Sequence, residues 1–276
     1  VGDDPEGDFY ARELPKAKWA DPRLDSIEKI VLVHKLREVA ALIGFTRFEP
    51  ITADAQGELE INVERAAIGK KLNFLPVSEN RGEGVFIKFD KEKIESWVAK
   101  PEVQARVLEL ERSFNAWREN HPGTKAVFPG APFIMLHTLS HLLISAISLE
   151  CGYPLSSLRE RIYSPIPEDA AMQGNYGILI FTSSSGSEGT LGSLVHASRN
   201  IRKHLLRALQ LGTLCSNDPV CSSSGASDHE FGKISGCACH GCVFIAETSC
   251  ERFNEFLDRA LVVPTIEQPG SELFPV

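Results

Sequence analysis

Phe133-Ile-Met-Leu-His-Thr-Leu-Ser-His-Leu-Leu-Ile-Ser-Ala-Ile-Ser-Leu149 is the most apolar stretch of this 276-residue chain. Its apolar residues point to nearly all sides of a helix, and such a helix needs packing partners on every face. The stretch carries His137, Ser140 and His141 and is shorter than the ~20 apolar residues that a membrane span requires. We therefore predict a buried core helix over 133–150, ended by Gly152, and no membrane association.

The patterns on both sides of this helix predict a mixed α/β (α+β) fold. Apolar residues near a 3.6-residue period and capping boxes predict the helices, and alternation or short apolar runs predict the strands. Upstream, the predicted elements are a helix over 25–43, strands over 45–49 and 58–64, two strands over 74–77 and 85–89 joined by a hairpin turn at 80–84, and helices over 91–99 and 102–119. Downstream, they are a short helix opened by Ser157 and Glu160, a buried strand over 176–182, a helix from Ser198, and a last helix from Thr248 to Leu261.

These elements suggest four parts along the chain. We expect an arm or linker over 1–23, a small α+β region over 24–128, an α/β domain over 129–264 and a tail over 265–276. The α/β domain would contain the buried central helix and a loop that binds zinc through four cysteines. Because the chain starts at Val1 without an initiator methionine, we expect it to be a piece of a longer protein.

The net charge of -8 and the pI near 5.6 exclude a chain that clamps DNA by its overall charge. Any contact with nucleic acid has to come from a local basic face. One predicted helix supplies such a face, and its candidate phosphate-binding residues are Arg199, Arg202, Lys203 and Arg207. A solvated helix surface is the ordinary interpretation of the same residues.

Six of the seven cysteines fall between Cys215 and Cys250, in close-set groups. A chain with no secretion signal and bunched cysteines is more typical of a metal site in a reducing, cytoplasmic setting than of a disulfide framework. Two close pairs that each hold the metal from one side make a closed, structural tetrahedral zinc site. The predicted ligands are Cys215, Cys221, Cys239 and Cys242, with Cys237, His240 and Cys250 as alternates that could replace Cys221.

The alternative interpretation of this region is a set of reduced, partly buried thiols without a metal. Cys151 lies at the end of the buried helix, and we predict that it is a small core residue.

His137 and His141 lie four residues apart and therefore share one face of the buried helix. No glutamate stands where a zinc protease carries its base, so core histidines are the ordinary interpretation. The alternative function is a hydrolase or nuclease that combines both histidines with the polar loop at 183–190. That loop follows the buried strand, but its glycines match neither a Walker A nor a dinucleotide motif. No helicase or ATPase motif occurs in the chain.

Several segments in the order found here jointly resemble one family. They include Leu36-Arg-Glu-Val, Leu75-Pro, Arg81-Gly-Glu-Gly-Val-Phe, Leu136-His-Thr-Leu-Ser-His-Leu-Leu-Ile, Leu149-Glu-Cys-Gly-Tyr, Cys215-Ser-Asn-Asp-Pro-Val-Cys, Ala238-Cys-His-Gly-Cys and Glu247-Thr-Ser-Cys-Glu-Arg-Phe-Asn. The chain looks similar to the C-terminal half of the DrmB family, accessory subunits of the bacterial DISARM anti-phage system. The part after Pro129 is similar to the cysteine-bearing C-terminal domain of MrfA-type helicases.

The resemblance implies a non-catalytic subunit that works beside DrmA, a helicase-like ATPase, in a complex that engages invading phage DNA. It also implies a zinc ion held by Cys215, Cys221, Cys239 and Cys242. Cys237 is an additional cysteine that the family pattern does not include. A third interpretation is a zinc-ribbon interaction module without DNA contact.

Overall fold

The computed structural model describes residues 2, 4–42, 44, 45, 66, 68, 74–121, 124, 126–165, 174–182, 193–223 and 234–275. Among these residues, five antiparallel strands form one sheet in the order β1-β2-β3-β5-β4. The strands are β1 Tyr10–Glu13, β2 Ile27–Ala41, β3 Val77–Phe89, β4 Leu158–Tyr163 and β5 Gly177–Thr182. The helices are α1 Lys91–Val98, α2 Pro101–Asn120, α3 Gly130–Cys151, α4 Ser193–Ser198, α5 Ile201–Gly212 and α6 Val220–Ser223. The predicted mixed α/β class is confirmed.

Helix α3 is the predicted core helix. Its length and composition would allow it to cross a membrane, but 78% of its most apolar window is buried inside the fold. It packs against α5, β4 and β5, and Gly152 ends it with a positive φ of 73°. On α5, Ile201, Leu205 and Leu209 are all buried. The prediction of a central buried helix is therefore confirmed.

The prediction of a helix over 25–43 is wrong, because this segment forms strand β2. Apolar residues recur there near helical spacing, but β2 pairs with β1 on one side and β3 on the other. The segment is rich in β-branched residues, which pack well on a pleated surface. The backbone partners supplied by two neighbouring strands decided the outcome, and they come from distant parts of the chain.

The prediction of a hairpin turn at 80–84 is also wrong, because β3 runs through it without interruption. The glycines there serve a close approach between strands. A Cβ at Gly84 would lie 2.5 Å from the carbonyl oxygen of Ile180 on β5, where no side-chain atom fits. Glu83 between the glycines is buried and accepts a hydrogen bond from the backbone N–H of Leu194 in α4.

Two helices predicted downstream of α3 are replaced by other structure. Ser157 and Glu160 do not open a helix; a short 3-10 turn at Leu155–Ser157 leads into β4. The last helix, predicted from Thr248, is replaced by 3-10 turns at Glu247–Ser249 and Arg259–Leu261. Positive φ angles of 52° to 62° at Phe253, Asn254 and Phe256 are incompatible with a right-handed helix.

Of the other predicted elements, three are confirmed, one helix begins later than expected, and two strands lie mostly outside the described residues. The helices over 91–99 and 102–119 and the strand over 176–182 are confirmed as α1, α2 and β5. The helix expected from Ser198 begins at Ile201. Most of the strands predicted over 45–49 and 58–64 lies outside the described residues. The division near residue 128 stays a prediction, and β3 and β5 from its two sides pair in one sheet.

An ion pair in the core holds the irregular C-terminal segment against α2. The Arg106 Nε donates to Asp258 Oδ2 at 2.7 Å, and both side chains are at most 1% exposed. Asp258 Oδ1 also accepts the backbone N–H groups of Cys237 and Ala260. Because every group has a partner, the pair avoids the penalty that a lone buried charge would carry.

Replacing Arg106 with leucine should therefore lower the free energy of unfolding by about 3–5 kcal/mol, because Asp258 is left as a buried charge without its cation. Urea denaturation of the purified chain measures this change. The matched control is Arg112→Leu on the exposed side of the same helix, which should change stability by no more than about 0.5 kcal/mol. Equal losses of unfolding free energy in both variants would contradict the stabilising role of the Arg106–Asp258 ion pair.

Candidate metal centres

Four cysteines converge where α5 and α6 meet a tight turn. Cys215 follows α5, Cys221 lies in α6, and Cys239 and Cys242 lie on the turn. Their sulfur atoms are 3.5 Å apart for Cys215 and Cys239, 3.8 Å for Cys221 and Cys242, and 3.7 Å for Cys239 and Cys242. A tetrahedron with zinc–sulfur bonds of 2.3 Å has edges of about 3.8 Å. The four donors are therefore spaced for one zinc ion.

Backbone amides surround the sulfur atoms of this cluster. The N–H groups of Asn217 and Gly241 point at the sulfurs of Cys215 and Cys239, each at 3.3 Å. The N–H of Cys239 points in turn at the sulfur of Cys242, also at 3.3 Å. Such N–H···S contacts stabilise the thiolate form, which is the form that binds metal.

The cluster also lies beside a buried cation. The hydrogen bond with Cys242 lowers the pKa of the Cys221 thiol to about 6, and the Arg259 guanidinium contributes to this shift against the cost of burial. Burial raises the pKa of Cys215 to about 11. Several thiolates at this spacing repel one another, so ionising the set requires a further positive charge. A divalent ion would supply that charge.

The alternate ligands lie away from the four-cysteine cluster. Cys237 is buried, its sulfur contacts the Arg106 guanidinium and the Ser222 carbonyl, and burial raises its pKa. His240 is exposed and stacks edge-on with Phe244. Cys250 belongs to a second cluster. The prediction that Cys151 is a core residue is wrong, because its side chain is exposed at the end of α3.

The second cluster consists of His137, His141, Glu160 and Cys250, all buried. One donor atom from each lies within 4.8 Å of all the others. Glu160 Oε1 is 2.9 Å from His137 Nε2 and 3.2 Å from His141 Nε2. His137 Nε2 also lies 3.1 Å from the Cys250 sulfur. The sequence pattern contained the histidine pair, whereas Glu160 and Cys250 reach it only through the folded chain.

The charges of the second cluster are strongly coupled. Burial disfavours the charged form of His137, but Glu160 and then Cys250 outweigh it and raise the pKa of His137 to about 9. Burial likewise opposes the charged form of Glu160, yet the two histidines hold the pKa of its carboxyl far below the usual range. Both histidines are 0% exposed. No substrate can reach them in this conformation, which disfavours the hydrolase or nuclease interpretation.

The predicted basic residues lie on the surface. Arg199 lies just before α5, and the other three lie on it, all exposed. Lys203 pairs with Glu150, and Arg207 donates to the Gln210 side-chain oxygen at 2.8 Å. Arg202, Lys203 and Arg207 line an open groove of about 840 Å³, together with Arg23 and the apolar side chains of Leu149 and Leu206. The polar loop at 183–190, which the alternative hydrolase or nuclease would use, lies outside the described residues.

Comparison with known proteins finds a similarity to a zinc-binding domain in part of this chain. Residues 139–243 match the MrfA Zn-binding domain, a range that includes all four cysteines of the first cluster. Over 249 residues the chain is 35% identical to the DISARM protein DrmB of Bacillus paralicheniformis. The alignment covers 89% of this chain and 42% of that relative, so the chain spans about two fifths of the length of the protein it matches. The domain and the cysteine cluster fit the predicted structural zinc ion.

Removing one ligand tests the cysteine assignment. Cys242→Ser should lower the zinc content by about one ion per chain, because three thiolates no longer close the site. Elemental mass spectrometry of protein purified under reducing conditions measures the content. The control Cys151→Ser removes an exposed thiol outside the cluster and should keep the zinc of the parent. Equal zinc content in the parent and Cys242→Ser would rule this ligand set out.

Proposed function

Since this chain is related to DrmB over most of its length and carries a MrfA-type zinc-binding domain, we propose that it is a non-catalytic, zinc-stabilised subunit of a DISARM-like anti-phage defence complex. In this proposal it docks a helicase-like ATPase of the DrmA type and helps hold invading DNA in the bacterial cytoplasm. Any ATPase or helicase activity belongs to the partner. The observation that carries the proposal is the identity to DrmB across 89% of the chain.

The zinc ion is assigned a structural role in this proposal. Cys215, Cys221, Cys239 and Cys242 are the proposed ligands, and a closed set of four protein ligands leaves no open position for substrate. The ion would fasten the turn at 239–242 to the end of α5. Residues 129–264 would form the helicase-associated domain that this zinc site stabilises.

DNA contact is assigned to the basic groove along α5. Arg202, Lys203 and Arg207 lie on one exposed side of the helix, and Arg23 lies across from them. Lys203 is partly neutralised by Glu150, and Arg23 by Asp21, which it contacts through two nitrogen atoms. Arg202 and Arg207 are therefore the groups best placed to contact phosphate. A chain of net charge -8 can bind DNA only through such a local concentration of cations.

Charge reversal in the groove tests the DNA contact. In the complex with its helicase partner, Arg202→Glu/Arg207→Glu should weaken DNA binding and reduce the slope of log affinity against log salt by about one for each lost phosphate contact. Fluorescence anisotropy across a salt series measures both quantities. Lys100→Glu/Arg112→Glu, just before and on α2, makes the same change in charge at exposed positions outside the groove. Unchanged affinity and slope would instead favour a zinc module that makes no DNA contact.

The docking of a helicase subunit is tested separately. Co-expression with a DrmA-type partner, followed by affinity purification and size-exclusion chromatography, should give a stable complex with the parent and with the groove variant. Phosphate-binding residues need not contribute to a protein interface, so loss of DNA binding with the complex intact is expected. Absence of any complex with the parent would overturn the docking role.

A further inference from the structure

We propose that His137, His141, Glu160 and Cys250 form a second, fully buried transition-metal site that takes Zn²⁺. The site is distinct from the four-cysteine cluster and does not depend on the proposed defence function. It joins α3, which supplies both histidines, to β4 through Glu160 and to the segment after the 3-10 turn through Cys250. Thiolate, imidazole and carboxylate are the three side-chain types that zinc binds.

The orientation of both imidazole rings supports a metal. His137 Nδ1 lies 3.3 Å from the Phe256 carbonyl oxygen, and His141 Nδ1 lies 3.0 Å from that of Val243. A carbonyl oxygen only accepts, so each Nδ1 carries the hydrogen of its hydrogen bond. In a neutral ring this leaves the Nε2 lone pair directed at the centre of the cluster. Metal-binding histidines are commonly oriented in this way by their second nitrogen.

The other two donors are also positioned by neighbouring groups. The Cys250 sulfur receives the backbone N–H groups of Arg252 and Asn254, each at 3.3 Å. Glu160 directs Oε1 at both histidines, while its Oε2 accepts a hydrogen bond from the Ser140 hydroxyl. These contacts favour the thiolate and fix the carboxylate. Each of the four donors is therefore oriented by a hydrogen bond from outside the donor set.

The hydrogen-bonding groups of the cluster favour a bound metal ion over two protonated histidines. With both Nδ1 atoms protonated, two neutral Nε2 atoms would face the Glu160 oxygen, and none of the three can donate. Protonating both rings satisfies the contacts and, with the Glu160 carboxylate and the Cys250 thiolate, is also neutral, but it places two imidazolium ions side by side with ring centroids 4.6 Å apart. One Zn²⁺ with the Glu160 carboxylate and the Cys250 thiolate is neutral, and the two neutral histidines complete four-coordination. Repulsion between neighbouring like charges disfavours the doubly protonated form, whereas the metal-bound form contains one cation between two anions.

The geometry also argues against a nucleophilic triad built from the same residues. In such a triad the histidine contacts the nucleophile through one nitrogen and the orienting carboxylate through the other. Here His137 uses Nε2 toward both Glu160 and Cys250, and Nδ1 toward a backbone carbonyl. The donor atoms thus converge on a point. The N···O spacings of 2.9 and 3.2 Å lie below the edge of about 3.4 Å for a tetrahedron with 2.1 Å bonds. The N···S spacing of 3.1 Å lies below the edge of about 3.6 Å expected with a zinc–sulfur bond of 2.3 Å.

Elemental mass spectrometry, which counts the zinc ions, and zinc X-ray absorption spectroscopy, which identifies their neighbours, test the proposal on the parent chain without a variant. About two zinc ions per chain are expected, one for each four-donor cluster. The zinc shell should contain both sulfur and lighter donors, with the outer-shell signal of imidazole. A single zinc with only sulfur neighbours would overturn the second site and leave the four-cysteine site standing. A single zinc with mixed nitrogen, oxygen and sulfur neighbours would support the second site and overturn the four-cysteine site.

Variants then locate the ion. Glu160→Gln keeps the shape of the side chain and should lose about one zinc per chain together with the imidazole signal, while the sulfur-only site stays loaded. Cys237→Ala is the control, because it removes a buried thiol that belongs to neither cluster. It should keep both ions. If Glu160→Gln is well folded by circular dichroism and retains two zinc ions with the imidazole signal, the assignment fails.

Discussion

Four polar side chains on one buried helix have to find hydrogen-bond partners inside the protein, and much of the surrounding structure supplies them. His137, Thr138, Ser140 and His141 are all 0% exposed on α3. An amide or hydroxyl buried without a partner costs roughly 2–7 kcal/mol, depending on the reference state. The chain meets this requirement with backbone carbonyls of the C-terminal segment, with the N–H of Asp258 and with Glu160 from β4.

This constraint explains how a C-terminal segment without long helices or strands is ordered. From residue 234 onward the described chain has only short 3-10 turns. Thr138 Oγ1 accepts the N–H of Asp258 at 2.8 Å, and the Asp258 side chain in turn binds Arg106 of α2. Asn254 closes a local loop by accepting the N–H of Ile245 and donating to its carbonyl. The segment is thus held by contacts with α2 and α3 and by polar contacts of its own.

The two metal clusters are linked by the same segment. Cys242 belongs to the first, and the carbonyl of the next residue, Val243, orients His141 of the second. Cys250 then enters the second cluster directly. A metal ion at either position would restrict the short stretch between them. Strand β4 contributes Glu160 to the second cluster, and α5 leads into Cys215 of the first while its exposed side lines the basic groove.

What the sequence by itself determined is the set of features whose information is local. The apolar character of α3, the pairs Cys215/Cys221 and Cys239/Cys242, and the basic side of α5 all follow from spacing within short segments. Helical and strand periodicity failed at β2, because its apolar spacing fits a helix as well and only the flanking strands β1 and β3 decide between them. Periodicity also failed after Cys250, where left-handed residues and side-chain contacts replace a helix.

The second cluster was decided by tertiary structure alone. His137 meets a glutamate 23 residues away and a cysteine 113 residues away, and neither spacing forms a motif. Tertiary structure also decides the position of Cys237, whose thiol could bind zinc but lies against the Arg106 guanidinium. A sequence specifies which metal-binding side chains exist and which of those close together in the chain can bind one metal ion. Which distant donors converge depends on how the buried polar groups of α3 are satisfied, and that is settled only when the whole chain packs.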